Sequence, residues 1–144
     1  MPLTAQAGLT VPASDAPGMR AVFGEAVHPR EWRRHPVNAR PFCDALTALD
    51  PEPSRSGHGL GGRAVPVQGA VEWEVAHAVL GPGASWQDPR VNEEAAKWVL
   101  LAQIDTDCAA DMTWGDVGTL YWLIRPADLA AGRFEEALFT WQGC

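Results

Sequence analysis

One lysine, one tyrosine and three cysteines are all that this 144-residue chain contains of those types. Lys97 stands against ten arginines, a bias that we read as genome composition. The cysteines, Cys43, Cys108 and Cys144, are odd in number and widely spaced. That spacing argues against a disulfide framework and for a reducing, cytoplasmic setting. No run of about 18 apolar residues occurs, which excludes a spanning helix, and no basic stem followed by an apolar stretch marks a secretory signal. HExxH, Cys-x-x-Cys and Gly-Lys-Ser/Thr are all missing, so structural zinc and a Walker-type phosphate loop are not expected.

Positive charge is scarce where it would matter most. Residues 1–57 balance six acids with six arginines, whereas residues 58–144 carry twelve acids against Arg63, Arg90, Lys97, Arg125 and Arg133, the whole of the net charge of -7. Phosphate backbones are held by Lys and Arg displacing counterions. An acidic half of this kind excludes nucleic acid as an expected partner.

Eight of the twelve prolines fall before residue 54. The opening stretch to Gly18 has neither helical nor strand period and reads as flexible. Short helices are predicted over 31–35 and 38–49, the second from Phe42, Cys43, Leu46 and Leu49 at helical spacing; Cys43 is read as a core cysteine. His58-Gly-Leu-Gly-Gly62 reads as a flexible turn. From residue 69 the pattern becomes regular. Val71, Val75, Ala76, Val79 and Leu80 share one helical face, stopped by Gly81-Pro82-Gly83. Asp88 is the expected N-cap of a second helix with Pro89 at its first position.

Strands are expected over 98–105, 118–125 and 136–142, the first two apolar on both faces and so expected to be covered on both sides. The loop between them is too short for a parallel crossover, which predicts antiparallel pairing. The expected fold is therefore α+β: a mainly antiparallel sheet packed with short helices over residues 58–144, preceded by a flexible segment, 1–57.

The loop from 105 to 118 holds Asp105, Asp107, Asp111 and Asp116 with Trp114, Gly115 and Gly118. Carboxylates so spaced have two readings. As oxygen donors they suit Ca²⁺ or Mg²⁺, and a divalent-cation-dependent enzyme using this loop is the alternative function; however, no Glu closes the loop and no EF-hand glycine is present. As Asx-type side chains they fasten a turn, with Gly115 and Gly118 supplying unusual backbone angles and Trp114 lidding the core. Asp105 and Asp107 fall on one side of an extended backbone. Gln103 and Gln142 lie inside apolar strands, where both ends of each amide need partners; they are read either as internal hydrogen-bonding residues or as the polar floor of a small pocket. Seven tryptophans would build a thick core or line a recognition surface.

His58-Gly-Leu-Gly-Gly62, Pro66-Val-Gln68, Leu100-Leu-Ala-Gln-Ile-Asp-Thr-Asp107, Trp114-Gly-Asp-Val-Gly-Thr-Leu-Tyr-Trp-Leu-Ile124, Asp128-Leu129 and Phe134 through Trp141-Gln142 together resemble the YwqG-like bacterial family, of unknown function, over residues 55–144. Cys108 departs from that family's usual acid. Members of the family resemble a duplication, and this chain matches the second half. The resemblance therefore implies a YwqG-like half-domain with an apolar face left for another half. Val99, Leu101, Tyr121, Leu123, Phe139 and Trp141 are the expected contributors, and a protein partner or a homodimer is the expected occupant. No cofactor and no catalytic set is expected. The functional expectation is a non-enzymatic cytoplasmic module for protein interaction or small-ligand binding, with Gln103, Asp105, Asp107, Trp114, Asp116 and Gln142 as its candidate surface. A fragment without function is the remaining alternative.

Overall fold

A computed structural model describes residues 4–10, 16–17, 39–49 and 57–144. The predicted helix over 31–35 and the side chains of Phe42, Cys43, Leu46 and Leu49 lie outside the described residues. The chain runs through α1 (Arg40–Leu49), β1 (Gly59–Leu60), α2 (Val71–Leu80), α3 (Pro89–Ala95), β2 (Val99–Asp105), β3 (Thr119–Ile124), α4 (Pro126–Ala130) and β4 (Leu138–Gln142). The strands form one antiparallel sheet in the order β1-β2-β3-β4. The α+β class is as expected. β1 is a correction: Gly59 and Leu60 pair with Gln103 and Ala102, and only Gly61 and Gly62, both at positive φ, turn the chain away.

Local chemistry accounts for the helix boundaries. Asp88 accepts the Arg90 N–H at 2.9 Å as N-cap of α3, while Pro89, which has no N–H to leave unpaired, starts the helix. Gly81 ends α2 at φ 81°, its N–H bonding the His77 carbonyl. Val71 and Val75 of α2 face the sheet, where they join Ala64, Trp98, Leu100, Tyr121 and Leu123 in the main core. Ala76 turns toward α3 and packs with Ala84, Val91 and Ala95. Val79 is 44 % exposed, so the expected five-residue apolar face is narrower than its spacing suggested; the helix divides its contacts between the sheet and α3.

The sheet has unequal faces. Side chains of Leu100, Gln103, Thr119, Tyr121, Leu123 and Gln142 are buried beneath α2 and the 64–69 segment. On the opposite face Ala102, Ile104, Leu120 and Trp122 are only half-buried, and Phe139 and Trp141 are 53 % and 52 % exposed. Ile124, at the end of the same face, is 0 % exposed, so cover on both sides, expected from the apolar runs, is corrected to one sealed face and one that is open except at its Ile124 end. Between β4 and β3 the register pairs Trp141 with Leu120 and Phe139 with Trp122, and the Phe139 and Trp122 rings lie 5.2 Å apart.

The N-terminal stretch touches this body: Thr10 Oγ accepts the Arg63 N–H at 2.7 Å, and Ala16 is buried. Among the described residues, no helix is long and apolar enough to cross a membrane.

Candidate functional site

The aspartate loop is fastened almost entirely by its own groups. Thr106 is its pin. Its N–H and its hydroxyl both donate to the Gly118 carbonyl, at 3.0 and 2.9 Å, and its Oγ accepts the Trp114 N–H at 3.2 Å. Asp107 and Met112 exchange backbone hydrogen bonds. Asp107 then caps the short helical turn Cys108–Ala110 by accepting the Ala109 N–H at 2.8 Å. The turn ends at Asp111, in the left-handed region at φ 57°.

Asp105 accepts from the Thr106 N–H at 2.9 Å and from the Thr119 hydroxyl at 2.8 Å. Trp114 does not lid the core: it is half-buried and its indole N–H donates to the Asp105 carbonyl at 3.1 Å. Asp116 is exposed, and its carbonyl accepts the Cys144 N–H. The four aspartates therefore serve the turn at separate places: Asp105 and Asp107 through their carboxylates, Asp111 through its left-handed φ and Asp116 through its backbone carbonyl. Among the described residues, no group of three or more His, Cys, Asp or Glu side chains is arranged to hold a metal ion.

His58 joins the two aspartates that sequence spacing had paired. Its Nδ1 accepts the Asp105 N–H at 3.0 Å, and its Nε2 lies 3.4 Å from the Asp107 carboxylate. Asp105 is the last residue of β2, and β1 is too short to reach it. The imidazole nitrogen therefore takes the place of a strand carbonyl. The geometry selects the neutral tautomer with the proton on Nε2. The Asp107 carboxyl is held below its usual range, first by the Ala109 N–H and then by His58. Sequence reading missed His58 because a histidine ahead of three glycines carries no periodic signal.

Gln103 and Gln142 are buried, and each is hydrogen-bonded at both ends of its amide. Gln103 accepts the Val65 N–H at 3.0 Å and donates to the Gly57 carbonyl. Gln142 accepts the N–H groups of Val67 and Gln68 at 2.8 and 3.0 Å and donates to the Gly69 carbonyl and to Glu74, both at 2.8 Å. All four hydrogen-bonding positions of Gln142 are filled by protein. Tyr121, fully buried, adds a hydroxyl donation to the Val65 carbonyl at 2.9 Å, and burial raises its phenol pKa. Three strand side chains thus hold the 57–69 segment across the sealed face.

The open face is different in kind. Ala102, Ile104, Leu120, Trp122, Phe139 and Trp141 form a contiguous apolar surface two strand positions deep across β2, β3 and β4. Of the six residues expected to contribute to an interface, only Phe139 and Trp141 are among these; Tyr121 and Leu123 point into the core at 0 % exposure. Leu120 and Trp122 were the residues missed, because both strand faces are apolar in the sequence and only the placement of α2 distinguishes them.

Compared with known proteins, residues 9–144 match the family model described as "Domain of unknown function (DUF1963)". The match begins well ahead of the 55–144 stretch that carries the motifs. No curated protein matches the chain.

Proposed function

The chain belongs to the DUF1963 family, and from that premise we propose that it is a non-enzymatic interaction module whose recognition surface is the open face of the sheet. One observation carries this reading: two aromatic side chains of the last strand, Phe139 and Trp141, stand about half exposed beside Trp122 and Leu120. Contiguous apolar surface of this sort is uncommon on a free monomer and typical of a contact area, and aromatic anchors supply most of the energy at such contacts. In this reading Gln103, Asp105, Asp107, Trp114, Asp116 and Gln142 build and hold the platform and do not meet the ligand. The occupant is a protein, either a partner or a second copy, and the cytoplasmic setting is part of the proposal.

A photo-reactive amino acid at position 139, with the exposed position 130 as control, tests this in cells. A discrete adduct from 139 that is missing from 130 supports the module, and an adduct of twice the chain mass identifies a second copy. Equal, diffuse labelling from both positions sinks it.

A further inference from the structure

The two edges of the sheet are unlike. β1 is two residues long and is followed at once by Gly61 and Gly62 at positive φ, a blunted edge of the kind that discourages further pairing. β4 runs for five residues, Leu138-Phe-Thr-Trp-Gln142, with no charge, proline or glycine and with an unbroken register against β3. Among the described residues, none of the usual protections of an edge strand is present there.

The ladder also fixes which backbone groups that edge presents. Thr106 N–H bonds the Gly118 carbonyl, so along β3 the bonding groups of Leu120 and Trp122 point to β2 and those of Thr119, Tyr121 and Leu123 point to β4, by antiparallel alternation. Their partners Gln142, Thr140 and Leu138 point back. Phe139 and Trp141 therefore direct their N–H and C=O groups away from the sheet. Among the described residues no other backbone group meets them.

Both ends of this edge are acidic. Glu135 and Glu136, exposed, precede it, and exposed Asp116 stands at its far end through the bond from Cys144. The nearby cation, Arg133, is engaged by Asp128. An antiparallel second copy of β4 would set these acids against their own kind.

We propose that β4 receives an extended segment of a partner protein by strand addition, with apolar residues over Phe139 and Trp141 and Lys or Arg at its ends. This rests on the interaction reading above. Main-chain bonds to Phe139 and Trp141 supply affinity, the aromatic face selects alternate side chains, and the acidic ends select charge.

The probe is a blocked peptide of alternating valine and threonine with lysines at both ends, compared with a twin ending in glutamates. The lysine peptide is expected to bind at least about tenfold tighter at low salt. It is also expected to slow amide exchange at Phe139 and Trp141 more than at Leu138 and Thr140, which the ladder already protects. Trp141→Pro, which removes an outward N–H and no ladder bond, should weaken binding at least about tenfold. Since that variant also removes an aromatic ring and strains an edge, Glu135→Lys/Glu136→Lys provides a second test on exposed positions, and should erase the preference for the lysine peptide. Equal affinity for the twins, or unchanged exchange at Phe139 and Trp141, overturns strand addition. If the position-139 adduct persists in that event, the open face remains the recognition surface and only the edge pairing falls. If the chain pairs with itself through β4 in light scattering and ignores both peptides, the second copy replaces the basic segment and this proposal is lost.

Discussion

Gln142 accepts the backbone N–H of Val67 at 2.8 Å across 75 positions of chain. With Gln103 performing the same service for Val65, the glutamines convert a glycine-rich connection into the cover of a sheet. Such a segment has little apolar surface of its own to hold it down, so its N–H groups need acceptors where water is excluded.

Gln142→Glu should therefore be costly at neutral pH. The carboxylate can still accept from Val67 and Gln68, but it cannot donate to the Gly69 carbonyl and it faces the Glu74 carboxylate that the native amide bonds. An unpartnered buried acceptor and a like charge together should remove about 3 kcal/mol or more. Urea unfolding at neutral and at acid pH checks the sign. Protonating the new carboxyl restores a donor, so the deficit relative to the native chain should shrink as pH falls.

His58 makes a different prediction. Because Nδ1 accepts from the Asp105 N–H, imidazole nitrogen shifts should report an unprotonated Nδ1 and a protonated Nε2. Adding a proton at Nδ1 would set two donors against each other. His58→Phe removes the acceptor and should quicken exchange of the Asp105 amide, while the cap bond from Ala109 to Asp107 is unaffected. An Nδ1-protonated neutral ring would contradict the arrangement.

Glu94 is buried at 6 % exposure and gathers Lys97 at 2.8 Å, the Trp98 indole N–H at 3.2 Å and the Arg125 guanidinium, which also lies 4.6 Å from the Trp98 ring. The Lys97 hydrogen bond is the main reason that its carboxyl lies below the ordinary range, with Trp98 and Arg125 adding to it. A depressed carboxylate contributes stability above its unfolded pKa and loses it as pH falls through the folded one. Glu94→Gln should cost about 1 kcal/mol at neutral pH, Lys97 and Arg125 being partly screened by solvent. The difference from the native chain should close only below the usual glutamate range, as thermal unfolding across pH would report.

Strands β2 to β4 and helices α2 and α3 were legible because their signals are local: apolar runs of strand length, an Asp-Pro start, a Gly-Pro-Gly stop. The internal role of the two glutamines was legible too, from the needs of an amide in an apolar strand. What stayed hidden depends on distance or on φ. β1 needs Gln103 opposite Gly59, and the open face needs α2 lying on one side of Tyr121. Gly118 was expected to supply an unusual backbone angle, but the positive φ belongs to Val117, at 50°, and to Gly115. Gly118 is required for space: a Cβ there would stand 2.5 Å from the Trp114 carbonyl oxygen and 2.8 Å from that of Gln142.

Val117 gives the last prediction. A β-branched residue in the left-handed region carries a steric penalty of roughly 1–2 kcal/mol, and no core contact offsets it, since the side chain is 60 % exposed. Asparagine tolerates that region far better. Val117→Asn should therefore stabilise the protein by about 1 kcal/mol, read as a higher urea midpoint with an unchanged slope. Val117→Gly should gain less, because glycine relieves the same strain but adds freedom to the unfolded chain. The order Asn above Gly above Val is the signature of backbone strain. A loss of stability in both variants would instead mean that the valine side chain is held against something, and the open loop would have to be redrawn as a contact.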